Sequence, residues 1–101
     1  MNPKLIDRKT FADERGSFSE AFRASDWEEK FVQDNISISK FGVLRGLHHQ
    51  TKNPQGKLVS VVFGNIQDVV VNIQTKEVHH FSLKMGDTLW VPPNYLHTRL
   101  S

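Results

Sequence analysis

Two stretches decide how this chain folds: Gly42-Val-Leu-Arg-Gly-Leu-His48-His49-Gln50, running on through Lys57 to Gly64, and Gly86-Asp-Thr-Leu-Trp-Val-Pro92-Pro93-Asn94-Tyr-Leu-His97. Each opens on a glycine, passes through apolar residues and closes on a histidine. Between them lie two β-branched runs, Lys57-Leu-Val-Ser-Val-Val-Phe63 and Ile66-Gln-Asp-Val-Val-Val-Asn-Ile73. Such runs favour strands because a branched Cβ packs well on a pleated surface. Gly64-Asn65 between them reads as a hairpin turn, with positive φ at Gly64. Gly46 also reads as a turn residue.

Working outward, Thr75-Lys-Glu77 is a turn and His79-His-Phe-Ser-Leu83 a strand. Met85-Gly-Asp87 turns the chain into Thr88-Leu-Trp-Val91, which Pro92-Pro93 ends. Upstream, residues 4–7 form an edge strand and Asp13-Glu-Arg-Gly16 a turn. Ser17-Phe-Ser-Glu-Ala-Phe22 alternates like a half-buried strand, as does Ile36-Ser-Ile-Ser39. Ser25 with Glu28 three residues on has the form of a capping box, so a short helical turn is expected near residues 25–31. Many short strands separated by turn signals make an all-β sandwich or barrel.

A length of 101 residues fits one domain spanning 1–101. This is the low end for burying a good core, so the chain is expected to form a homodimer. The net charge is +2, and no run of Lys or Arg suggests nucleic acid. The pI near 9.1 leans towards anionic ligands. There is no cysteine, hence no disulfide frame and no zinc knuckle. The first residues, Met1-Asn-Pro-Lys-Leu-Ile-Asp-Arg8, lack an apolar signal core, and nothing reaches membrane-spanning length. A cytoplasmic location and no membrane partner are the expectation.

The two glycine-to-histidine stretches resemble the paired motifs of the cupin superfamily, G-x5-H-x-H-x(3-4)-E-x6-G and G-x5-P-x-G-x2-H. Gly42, His48, Gly86, Pro92 and His97 match. Gln50 stands for the second histidine, Lys57 near the glutamate, and Asn94 for the glycine. Two of four metal ligands are therefore replaced, one by a cation that repels a metal ion. No metal and no cofactor are expected. The resemblance implies a cupin-type antiparallel jelly-roll β-sandwich with His48, Lys57 and His97 facing a common cavity. A jelly roll adds strands after its second motif, whereas this sequence ends at Ser101. Two readings stand, a shortened product or a compact variant that closes its barrel otherwise.

Five further segments carry a narrower resemblance: Asp13-Glu-Arg-Gly16, Phe31-Val-Gln-Asp-Asn35, Gly42 to His48, Gln55-Gly-Lys-Leu-Val59 and Leu89-Trp-Val-Pro92. Together they look like dTDP-4-dehydrorhamnose 3,5-epimerase, a metal-free cupin family of dimers whose N-terminal segment reaches the neighbouring subunit. The resemblance implies an isomerase acting at C3 and/or C5 of a dTDP-4-keto-6-deoxyhexose. His48 would be the base that removes the proton beside the C4 ketone, and Lys57 would stabilise the enolate oxygen. His97 and Asp68 would support the proton network, and Arg45 and Arg15 would meet the diphosphate. Phe18, Glu20, Gln33 and Asn35 would line the nucleotide end. The family's general-acid tyrosine falls after the second motif, so turnover is expected to stop at proton exchange. His49 sits where an aromatic is common, and Thr98-Arg99 replace a small-aromatic pair.

The chemistry also stands on the residues alone. Histidine has a pKa suited to a general base near neutral pH, and a lysine can hold a developing oxyanion. Tyr95, the sole tyrosine, is a candidate second proton carrier but is expected in a loop after Pro-Pro-Asn. The plainer readings are that Asp68 is an inward polar group satisfied by backbone, Arg15 a surface ion pair, and Phe18 and Phe22 core residues. Trp27 and Trp90 read as packing residues and His79-His80 as a surface pair. The competing functions are a related keto-sugar isomerase, and a non-catalytic nucleotide-sugar-binding module or fragment. A metal-dependent cupin is opposed by Gln50 and Lys57.

Overall fold

The computed structural model describes residues 2–31, 33–48 and 56–100, with backbone alone at 45–48. Among the described residues there are nine strands and one 3-10 turn. In chain order the strands are β1 (Lys4–Leu5), β2 (Thr10–Asp13), β3 (Gly16–Ser19), β4 (Leu44–His48), β5 (Lys57–Ser60), β6 (Asn65–Asn72), β7 (Val78–Lys84), β8 (Thr88–Val91) and β9 (Tyr95–Leu100). The chain divides into two compact units, Asp7–Ile38 and the remainder.

The larger unit is a sandwich of two antiparallel sheets. One has the order β1-β8-β5 and the other β4-β9-β6-β7. Alternation along the strands builds the core between them. Val70 of β6, Leu83 of β7, Leu89 and Val91 of β8 and Tyr95 of β9 are buried together with Val61, and Ile66 and Phe81 pack against them. All four residues of β8 are buried, so both its faces are covered and it reads as a continuous apolar run. On its other face Trp90 packs over Gly56, where a Cβ would overlap the indole. The glycine is needed for that contact.

Gly64-Asn65 does not form a hairpin. β5 pairs with β8 while β6 pairs with β7 and β9, so the turn carries the chain from one sheet to the other. Gly64 does take positive φ, +87°. Val61 explains the crossover: its N–H donates to the Asp87 carbonyl and its carbonyl accepts from Gly86 N–H, which leaves no ladder between β5 and β6. Gly46 lies inside β4, where the register against β9 shifts between Arg45 and His48. A glycine suits such a bulge. Asn94, standing where the cupin motif has glycine, has φ 71°, a left-handed position that asparagine tolerates.

The smaller unit, Asp7–Ile38, holds the β2–β3 hairpin, with Phe11 opposite Phe18 and Thr10 opposite Ser19. The helical turn is shorter and earlier than expected, a 3-10 turn at Ala24–Asp26 with Arg23 at its N-cap and no side-chain cap bond. Ser25 lies inside the turn and so cannot cap it. Edge-to-face contacts of Phe31 with Phe22 and Trp27, both at 5.5 Å, hold this region. Phe18 and Phe22 are exposed rather than core, at 72% and 48%. Residues 36–39 form no strand: Ile36 and Ile38 are each 90% exposed, and no strand among the described residues pairs with them.

Candidate functional site

The site begins with the pleat of β9. Tyr95, His97 and Arg99 fall on its inner face, two residues apart. Across one ladder His97 pairs with Val70 and Arg99 with Asp68 of β6. Across the other, Arg45 pairs with Arg99 and His48 with His97. The second sheet brings Lys57, at the start of β5 and opposite Val91, over the same space.

Lys57 Nζ lies 3.3 Å from His97 Nε2. An ammonium only donates, so Nε2 is the accepting nitrogen of a neutral imidazole and Nδ1 carries the ring proton. That proton faces Asp68: Nδ1 is 3.8 Å from Oδ1, with the two side chains 3% and 0% exposed. The plain reading of Asp68, a carboxylate satisfied by backbone, fails. Neither of its oxygens accepts a hydrogen bond among the described residues. Burial pushes its carboxyl up to about 6, against the pull of the Arg99 and Lys57 charges. A buried carboxyl that is still ionisable near neutral pH, next to a histidine and a lysine, makes this cluster the candidate functional site.

Thus Lys57, His97 and Asp68 come together as a connected set. For His48 and Arg45 the backbone alone is described, and its register places them opposite His97 and Arg99. His49 and Gln50 lie outside the described residues. The other expected ligand contacts belong to the unit Asp7–Ile38. There Arg15 pairs with Asp13 at 3.0 Å and is 88% exposed, as its plain surface reading held. The Arg15 hydrogen bonds hold the Asp13 carboxyl below its ordinary value. Glu20 forms two hydrogen bonds with Arg23, 2.9 and 2.6 Å, chiefly by which its carboxyl is lowered. Gln33 donates to Asn35 at 3.3 Å.

Three features escaped the sequence reading. Tyr95 is not in a loop but begins β9, and its hydroxyl meets Asn72 Nδ2 at 3.3 Å and Asn2 Oδ1 at 3.4 Å. Its hydroxyl is therefore engaged by these two amides. His79 is not a surface residue. It lies half-buried, stacked on Phe81 and 3.0 Å from Glu77 Oε1, while His80 is exposed. Arg99 shares the inner face of His97, which the alternation Tyr95-Leu-His-Thr-Arg99 encodes once β9 is known to be a strand.

An antiparallel jelly-roll sandwich with this inner set of side chains is a cupin-type fold. A family model described as dTDP-4-dehydrorhamnose 3,5-epimerase matches residues 2–101. The chain belongs to that family. It is 42% identical over 107 residues to the dTDP-4-dehydrorhamnose 3,5-epimerase of Neisseria gonorrhoeae, covering 93% of this chain and 32% of the relative. It is 41% identical over 108 residues to that of Salmonella typhimurium, covering 92% and 58%. The crystal structure of the Legionella pneumophila epimerase in complex with dTDP-4-keto-L-rhamnose superposes with a TM-score of 0.88 at 38% identity, covering 97% of this chain and 59% of that one. The Sulfolobus tokodaii epimerase gives 0.89 at 33%, covering 100% and 64%. The chain spans less than two thirds of the length of each of these proteins.

Proposed function

We propose that this chain carries the proton-abstracting machinery of an isomerase that epimerises a dTDP-4-dehydro-6-deoxyhexose at C3 and/or C5. The observation that carries the reading is the Lys57 Nζ–His97 Nε2 contact of 3.3 Å over a buried Asp68. In the reaction a base removes the proton on the carbon beside the C4 ketone. The electron pair left behind moves to the ketone oxygen, giving an enolate, and return of a proton to the other face inverts the carbon. Lys57 donates a hydrogen bond to that oxygen as charge builds on it. His97, held neutral with its Nδ1–H towards Asp68, accepts a second Lys57 proton and aims the ammonium. His48, opposite His97 in register, is the base in this reading.

The substrate class is supported by the Legionella protein's bound dTDP-4-keto-L-rhamnose and by the TDP and pyrophosphate in a Bacillus anthracis relative of 30% identity. The diphosphate falls to Arg45 and Arg15, and the nucleotide end to Phe18, Glu20, Gln33 and Asn35. The reaction needs no metal in this reading, because Lys57 takes the His97 nitrogen that a cupin metal would use. We assign residues 1–101 to one domain working as a homodimer in the cytoplasm. The exposed Phe11 and Phe18, at 63% and 72%, on a two-stranded hairpin that is marginal alone, support pairing with a second copy. No helix among the described residues is long and apolar enough to cross a membrane, and no basic run suggests nucleic acid.

The test is mutational. His48→Ala should lower turnover of dTDP-4-keto-6-deoxyglucose by roughly a hundredfold or more, as expected for a general base, and His49→Ala far less. Equal losses, or wild-type protein that binds the sugar nucleotide without processing it, would replace the enzyme reading with that of a binding module.

A further inference from the structure

Arg99 is a half-buried guanidinium on the inner face of β9, and among the described residues no hydrogen bond or ion pair holds it. Its register neighbours are opposite in kind. Asp68 lies across one ladder and Arg45 across the other. Arg99 lies two residues along the strand from His97, roughly 7 Å, about the breadth of one hexose ring. An anionic group carried on the far side of a sugar whose ketone meets Lys57 would reach it.

We propose that Arg99 is an anion-binding residue of this site that takes a phosphate oxygen of the ligand's diphosphate, as a specificity contact added to the one assigned to Arg45. The identity of the anion rests on the epimerase reading; the anion site itself does not. A guanidinium suits the task because its planar fork matches two phosphate oxygens at once. The simpler role is counter-charge to Asp68, whose carboxyl Arg99 does pull downward. That role gives Arg99 no reason to discriminate between ligands with and without phosphate.

Calorimetric titration of the full chain with inorganic pyrophosphate, dTDP and thymidine separates the two. Arg99→Gln should weaken pyrophosphate and dTDP by roughly ten- to a hundredfold, the range for a charge-assisted hydrogen bond, and leave thymidine unchanged. Arg99→Lys keeps the charge and loses the fork, so it should recover part of the loss and also guards against a Gln variant that does not fold. Wild-type pyrophosphate binding that depends on Arg99, without any turnover of the keto sugar, would retain the anion site and remove the epimerase reading. Unchanged pyrophosphate affinity in both variants, with only a shifted pH profile, would overturn the proposal, as would a wild type that binds none of the three.

Discussion

Replacing Asp68 by asparagine should stabilise the protein at neutral pH while disabling it. Burial raises the Asp68 carboxyl from 3.8 to about 6, so the folded state holds its proton more tightly than the unfolded chain. The stability contributed by the protonated form is complete below about pH 4 and is lost as pH rises through 6. About two units at roughly 1.4 kcal/mol each gives an upper figure near 3 kcal/mol, and solvent screening brings it to about 2. Asparagine mimics the protonated acid at every pH. At pH 8, Asp68→Asn should therefore melt higher than wild type, by roughly 10 °C for a domain of this size. At pH 3.5 the two should melt together. Proton exchange under the proposed reading should slow, because a neutral amide attracts the His97 Nδ1–H less than a carboxylate does. Thermal melts at half-unit steps from pH 3.5 to 8 measure the curve. Parallel curves, or an asparagine variant less stable at pH 8, would refute the reasoning.

Other positions give separate checks. Gly56→Ala should cost roughly 1–3 kcal/mol by overpacking, and Trp90 fluorescence should shift to the red; an unshifted spectrum with full stability would mean the indole does not lie over Gly56. Asn94→Val should cost about 1–3 kcal/mol because φ 71° disfavours a β-branched residue, whereas Asn94→Gly should be near neutral in chemical denaturation. Protein purified without chelator should carry no stoichiometric transition metal by elemental analysis; iron, zinc, nickel or manganese held through His48 and His97 would contradict the site reading.

The strands that could be read in advance are those whose signal is local. Thr88–Val91 was bounded by Gly86-Asp87 and Pro92-Pro93, and β6 and β7 by their β-branched content and the Thr75-Lys-Glu77 turn. What the sequence leaves open is pairing. Gly64-Asn65 looks the same whether it joins neighbours in one sheet or passes between two, and the difference lies in the Val61 bonds to Asp87 and Gly86, more than twenty residues on. Ile36-Ser-Ile-Ser39 alternates but has no partner strand among the described residues, so alternation alone misleads there. In the site, the motif frame pointed to Lys57 and His97. That Arg99 and His79 turn inward needed the register of β9 and β7, because a one-residue change of phase would have put both on the other face.

The central claim is that a proton leaves the carbon beside a ketone while Lys57 holds the charge that builds on the ketone oxygen. Proton NMR of dTDP-4-keto-6-deoxyglucose incubated with the chain in D2O measures that step without requiring completed inversion. The account expects deuterium to enter at C3 or C5, mainly at one carbon. Lys57→Gln should slow this by roughly a hundredfold or more, the scale of losing one oxyanion donor. Exchange at the same rate in wild type and in Lys57→Gln would contradict it.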